Sequence, residues 1–204
     1  MKIVVFTINP IYPDKVTGGA SKHLNYITKN LGDQGHTVQI VCPKTDDSKS
    51  NFDLSENVTV FPELIFDLPF PQPYAVSPPE LTRTTHYILR RLEDADRFYI
   101  HDGEWLVPDV YQATPCVASF RDNIYPESVL GTFIGKPDEV INVSDYSRSV
   151  IENTAGLFFP GLQERLHTVL NGIDFDFFES KDPSNLARRL GVDLGGDIIL
   201  LHPH

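Results

Sequence analysis

The sequence has only two cysteines in 204 residues, no basic tract, no membrane-length apolar run and no complete glycine-rich nucleotide signature. Each shortage excludes something. Cys42 and Cys116 lie in separate apolar stretches, Val41-Cys-Pro43 and Pro115-Cys-Val117. They read as small core residues in a reducing compartment, which sets aside a disulfide framework or a cysteine zinc site. No stretch reaches the ~20 apolar residues that cross a bilayer. The apolar run after Lys2 gives way to Asn9-Pro10, too short for a signal-peptide core. The expectation is a cytoplasmic chain with no transmembrane segment, peripheral membrane contact remaining open. A net charge of −11 makes nucleic acid an unfavourable partner, because an acidic surface repels phosphates over its whole field. Asn57-Val-Thr59 and Asn142-Val-Ser144 match a glycosylation pattern but fall at strand edges and read as chance.

The apolar content of 41% is ample for a core. Lys2-Ile-Val-Val-Phe6 is a short β-branched run, the pattern of a strand buried on both faces. Thr17 is a possible N-cap, Gly18-Gly19 precede an amphipathic run, and Ala20, Leu24, Ile27 and Leu31 recur at helical spacing until Gly35. Further strands are expected at Thr37 to Cys42, Val58 to Phe61, Arg97 to Ile100, Cys116 to Phe120, Glu139 to Ser144 and His167 to Leu170. Lys44 to Asn51 reads as loop. Pro62 to Pro79 reads as a proline-broken, partly apolar excursion, either functional or covering a sheet edge. Leu81, Thr85, Ile88 and Leu92 predict a helix over Pro79 to Glu93 with Arg90 and Arg91 on its wet face. Tyr146, Val150 and Ile151 predict another, capped by Ser144 or Asp145. A short helix over Pro183 to Leu190 and a strand over Asp197 to Leu201 follow. The alternation gives an α/β fold, a doubly wound, mostly parallel, Rossmann-like sheet.

In such sheets ligands bind beyond the carboxyl ends of the strands, where strand order reverses. The usual order places the reversal between the first strand and the one ending at His101. The loops meeting there hold Asp14, Lys15, His101, Asp102, Glu104, Arg121 and Asp122. Gly18 and Gly19 either turn the chain or cradle a ligand at a helix N-terminus. His23, one turn further, either faces the crevice or is solvated.

Several chemistries fall away. Gly-x-Gly-x-x-Gly does not follow the first strand, and the second ends in Cys42-Pro43-Lys44 without an acid for a ribose, so no dinucleotide cofactor is expected. There is no phosphate loop with Gly-Lys-Ser/Thr and no Gly-x-Ser-x-Gly elbow. His101, Asp102 and Glu104 are too close together to face one ion, so no metal is expected.

Four stretches together resemble the family-four retaining glycosyltransferases, which have the two-domain GT-B fold. They are Lys2-Ile-Val-Val-Phe6, Gly18-Gly19, Leu31-Gly-Asp-Gln-Gly-His36-Thr-Val, and a strand ending in Val143-Ser144 followed by Val169-Leu-Asn171-Gly172-Ile173-Asp174-Phe175-Asp176-Phe177-Phe178. The last is the most specific. The resemblance implies the N-terminal, acceptor-side half of an enzyme that moves a sugar, as a hexosyltransferase does, from a nucleotide-sugar donor to a sugar or lipid-linked acceptor with retention. It implies a Rossmann-like domain over 1–178, a helix and linker over 179–196, and over 197–204 the first strand of a donor-binding domain cut off at His204. The isolated chain would then be inactive.

Carried over by position, Gly18 and Gly19 offer backbone amides to the donor phosphate or reacting sugars. Lys15, His101 and Asn171 complete the substrate-binding set, while Asp102, Glu104, Arg121 and Asp122 are the catalytic candidates. Relatives commonly end the fifth strand in a histidine that touches the transferred sugar. Arg121 stands there instead, either holding an anionic group of the acceptor or pairing with Asp122. A nucleotide-sugar epimerase of the same fold and a non-enzymatic glycan or phospho-ligand binding module remain as alternatives.

Overall fold

A computed structural model describes residues 1–47, 50–67, 75–103, 106, 113–121, 126, 129, 131 and 135–172. The chain divides into Met1–Leu170 and Asn171–His204. Of the second unit only Asn171 and Gly172 are described, so the expected helix over 183–190, the strand over 197–201 and the boundaries at 178 and 196 lie outside the described residues.

The first unit is built on an eight-stranded sheet. Its strands are β1 (Lys2–Phe6), β2 (Thr37–Pro43), β3 (Phe52–Ser55), β4 (Val58–Leu64), β5 (Arg97–His101), β6 (Cys116–Phe120), β7 (Glu139–Asn142) and β8 (Leu166–Thr168). Their spatial order is β3-β4-β2-β1-β5-β6-β7-β8. Every neighbouring pair is parallel except β3 with β4. The chain builds outward from β1 through β2 to β4, then returns to place β5 on the other side of β1. The order therefore reverses between β1 and β5, as the alternation of strands and helices predicts.

Strand alternation explains the two layers. Val4 and Phe6 of β1 join the cluster under α2 (Pro78–Leu92), together with Ile88 and Phe98. Ile3 and Val5 point the other way, into a cluster with Leu24 of α1 (Gly18–Asp33). A strand buried on both faces must be apolar along its buried length, and β1 is so from Ile3 to Phe6. A third cluster seats α3 (Asp145–Thr154) through Ile151 against Phe120 and Val140.

Helix starts differ in how they are made. Ser144 caps α3, its Oγ accepting from the Ser147 N–H at 3.1 Å. Thr17 occupies the cap position of α1 but makes no side-chain cap bond. A cap contributes about 1 kcal/mol, whereas one fully buried leucine contributes about 1.5–3 kcal/mol. Leu24 is completely buried. The apolar face thus places α1, and its first turn is left uncapped by the side chain. The helix also begins at Gly18, so the glycine pair is its opening turn rather than the loop before it.

Several expectations are corrected. β3 lies between the loop expected to end at Asn51 and the strand expected from Val58, where no element was expected, because its four residues are too few to give a period-2 signal. β4 continues through Pro62 to Leu64, beyond the expected end at Phe61. β3 pairs only with Val58 to Val60, so Pro62 sits where the antiparallel neighbour has ended, a position that tolerates a missing N–H. Arg91 is not on the wet face of α2. Its guanidinium lies 3.8 Å from the Phe61 ring centroid, and Nη2 donates to Tyr87 Oη at 2.8 Å. The buried stripe of α2 is Glu80, Thr84, Ile88 and Leu92. Cys42 and Cys116 are buried free thiols in the core, as expected, and burial pushes the Cys42 thiol up to about 12.

Candidate functional site

The C-terminal ends of β1, β5 and β6 meet at the strand reversal, with the first turn of α1 beside them. Thr7, the residue after β1, is fully buried. Its N–H donates to Val41 O at 3.1 Å, and its Oγ1 accepts from the Asn9 N–H at 3.1 Å, turning the chain toward α1.

Asp102 ties three segments together. Its Oδ2 accepts from Asn9 Nδ2 at 3.1 Å and its Oδ1 accepts from the Arg121 N–H at 3.3 Å. It has a positive φ of 64°, which aspartate tolerates better than most residues. Gly103 follows at φ +84°, and a Cβ there would lie 2.2 Å from Ile8 Cγ2. Both the backbone conformation and the packing therefore require glycine. The Asp-Gly pair after an apolar run was a readable turn signal.

His101 is completely buried at the end of β5. Its Nε2 lies 3.0 Å from Ala20 O and its Nδ1 lies 2.9 Å from Tyr99 Oη. A carbonyl can only accept, so Nε2 carries the proton and Nδ1 accepts from the tyrosine hydroxyl. Burial, reinforced by the Arg121 charge and by His23, drives the pKa of His101 down to about 3, against the opposing bond to Ala20. The ring is neutral at pH 7 and clamps β5 to the first turn of α1. Tyr99 shares a strand face with His101 by period-2 alternation, a signal the sequence carried.

His23 stacks on His101, with ring centroids 5.8 Å apart and planes 23° from parallel. Burial first and the Arg121 charge second lower its pKa as well. The Arg121 side chain is half-buried, and desolvation lowers its own pKa while Tyr99 and Asp102 oppose the shift. Its Nη1 lies 3.5 Å from Ser119 Oγ.

The other site expectations are distributed as follows. Gly18 has φ +82°, and a Cβ on either Gly18 or Gly19 would meet nothing within 4 Å. Gly18 thus has a backbone reason to be glycine, whereas neither backbone nor packing demands it at Gly19. Lys15 pairs with Asp47 at 2.7 Å and lies over the Tyr12 ring at 4.4 Å, linking the loop after β1 to the loop after β2. Glu104 and Asp122 lie outside the described residues. Asn171 is exposed and belongs to the second unit. The structure therefore brings Gly18, Gly19, His101, Asp102 and Arg121 to one end of the sheet. It adds Asn9, His23, Tyr99 and Gly103, of which the sequence singles out only His23.

What this arrangement offers chemically is an open, uncapped helix N-terminus above a buried neutral histidine, with a guanidinium alongside. Backbone N–H groups there can meet an anionic or hydroxyl-rich ligand. Among the described residues no helix is long and apolar enough to cross a membrane.

Comparison with known proteins agrees with this architecture. WaaG, a glycosyltransferase involved in lipopolysaccharide biosynthesis, superposes with a TM-score of 0.60 at 13% identity, over 94% of this chain and 52% of its own. A sucrose-phosphate synthase from Thermosynechococcus elongatus gives 0.63 at 10% identity, over 95% and 53%. The catalytic domain of starch synthase IV from Arabidopsis thaliana, bound to ADP and acarbose, gives 0.59 at 15% identity, over 96% and 60%. The chain thus spans about half the length of the first two structures. At these identities the likeness shows the fold, that of the N-terminal half of GT-B proteins. No curated protein matches the sequence significantly. The family model of Glycosyltransferase Family 4 matches residues 17–177, most of the chain. The chain belongs to glycosyltransferase family 4.

Proposed function

We propose that this chain is the acceptor-side half of an enzyme that transfers a hexose from a nucleotide sugar to a sugar or lipid-linked acceptor with retention of configuration. The observation that carries the reading is the first turn of α1. It opens at the strand reversal, has no side-chain cap, and carries a glycine at position 19 that the fold itself does not require. A residue without a Cβ where the chain has room for one is explained by a ligand that approaches the backbone. The starch synthase neighbour is bound to ADP, and a further neighbour of TM-score 0.53 is bound to UDP-2-fluoro glucose. A nucleoside diphosphate is therefore the reasonable leaving group.

In this reading Gly18 and Gly19 receive the diphosphate or the reacting sugars at their backbone. Lys15 and Asn171 are substrate-binding residues, and His101 holds the glycine turn in place. Transfer breaks the bond from the anomeric carbon to phosphate, whose oxygen keeps the electron pair. The acceptor oxygen bonds to the same face, and its proton passes to the leaving phosphate. Such chemistry relies on orientation and on stabilising charge at an oxocarbenium-like centre. Arg121 supplies positive charge beside the departing group. Asp102, with Glu104 and Asp122, orients the acceptor hydroxyl and the surrounding loops. In this reading the chain divides into 1–178, 179–196 and 197–204, the isolated chain is incompetent for transfer because it spans only about half the length of neighbouring solved structures, and the enzyme is cytoplasmic.

The test is product analysis. The full-length protein, incubated with nucleotide sugars and candidate acceptors, should yield a glycoside with the donor's anomeric configuration, while residues 1–204 alone yield none. An isomeric nucleotide sugar would indicate an epimerase. Glycan affinity without turnover would indicate a binding module. Either result overturns the proposal.

A further inference from the structure

His23 has no assigned part in the reading above, yet its environment is unusual. Its Nδ1 is buried and, among the described residues, has no hydrogen-bond partner. The residue as a whole is only half-buried, so the open side of the ring is its Nε2 edge. The ring is fixed by stacking on His101, which is itself locked between Tyr99 and Ala20.

Three considerations decide what that ring can do. A buried N–H without an acceptor is costlier than a bare lone pair, so the single proton of the neutral ring belongs on Nε2. Burial and the Arg121 charge disfavour a second proton. The side chain follows the first turn of α1 by one helical turn, and helical side chains tilt back toward the N-terminus. The side chain therefore leans back toward the uncapped Gly18–Ala20 turn, and Nε2–H is the donor it has left to offer there.

We infer that His23 is a further ligand-contacting residue of this cleft, its Nε2 donating a hydrogen bond to a phosphoryl oxygen of the molecule that docks against the Gly18–Ala20 turn. The inference rests on the proposed function, because it needs a phosphorylated ligand there. The acceptor is a phosphoryl oxygen because free backbone amides, an N–H donor and the neighbouring guanidinium all favour negative charge. That oxygen belongs either to a donor diphosphate or to a phosphorylated acceptor.

The experiment is nitrogen-15 NMR on the full-length protein, labelled at histidine and assigned through His23→Gln. Uridine diphosphate and glucose 6-phosphate are titrated separately, and dissociation constants are measured for the parent, His23→Phe and His23→Gln. The expected result is the Nε2–H tautomer in the free protein and a shift of that proton by at least one probe. His23→Phe should bind that probe about tenfold more weakly, as for loss of one hydrogen bond to a charged group, and His23→Gln should recover part of the loss. A response to uridine diphosphate assigns the donor, and a response to glucose 6-phosphate assigns the acceptor. An Nδ1–H tautomer, or unchanged binding by His23→Phe, overturns the inference. If nucleotide-sugar transfer persists with unchanged KM in His23→Phe, the inference fails while the proposed function stands. If the parent neither binds the probes nor transfers sugar, both fail.

Discussion

The Nε2–H of His101 donates to the carbonyl oxygen of Ala20 at 3.0 Å, across 81 positions of sequence. One bond thus joins the end of β5 to the opening turn of α1. The same ring accepts from Tyr99 on its other nitrogen, which leaves it no capacity to bind a ligand directly. His101 is a positioning residue, and the cleft takes its shape from it.

Replacing it by leucine should be expensive. His101→Leu keeps apolar bulk but strands the Ala20 carbonyl and the Tyr99 hydroxyl. Leaving buried polar groups unpaired costs about 1–3 kcal/mol each. We expect a loss on the order of 3 kcal/mol in urea denaturation, with faster amide exchange in the first turn of α1. A change below the precision of the measurement would contradict the clamp.

Acid should expose the same residue. The folded pKa of about 3 lies below the ordinary 6.5, so the unfolded chain binds a proton that the folded chain refuses. Stability from this group is fully present above pH 6.5 and is lost as pH falls toward 3. Denaturation midpoints from pH 7 to pH 4 should decline in the parent, and part of that slope should vanish in His101→Gln. Identical slopes would contradict the assignment.

Gly103 makes a prediction of a different kind. An added methyl would meet Ile8 Cγ2 at 2.2 Å with φ held at +84°. Gly103→Ala combines an unfavourable backbone with overpacking, each costing about 1–3 kcal/mol. The thermal midpoint should fall sharply and the Asp102 turn should rearrange. A midpoint equal to the parent's would mean that the turn is softer than its packing indicates.

One carboxylate joins Asp67 to Ser77. Glu80 accepts from the Ser77 N–H at 2.7 Å, from Ser77 Oγ at 2.6 Å and from the Asp67 N–H at 2.7 Å. The bonds to Ser77, then to Asp67, hold its carboxyl below the usual carboxylate range. Glu80→Ala should therefore destabilise the protein by about 2 kcal/mol and loosen the Asp67 backbone in hydrogen exchange. Unaltered exchange at Asp67 would contradict this.

These residues also mark what the sequence disclosed. β1, β5 and β6 were readable because strands buried on both faces leave mostly apolar runs, and the usual strand order put the reversal between β1 and β5, where it is observed. Ser77-Pro-Pro-Glu80 spells out a capping box in the sequence itself. β3 was not legible, since four residues carry too little periodicity. The pairing of His101 with Ala20 was beyond reach for another reason. It depends on how α1 lies over β5, which is set by packing around Leu24 and Tyr99. Likewise, nothing in the sequence distinguishes Gly103, required by its own fold, from Gly19, which is not.

That difference supplies the most direct test of the central claim, that the opening turn of α1 is the floor of a sugar-transfer cleft. The measurement is kcat/KM for nucleotide-sugar transfer by full-length Gly19→Val, beside its denaturation curve. Nothing within 4 Å opposes a Cβ there, so stability should change by less than about 1 kcal/mol. Transfer should fall by about a hundredfold or more, as expected when bound groups are displaced by an ångström. Parent-level transfer by the stable variant would contradict the account and reduce the glycine pair to a turn.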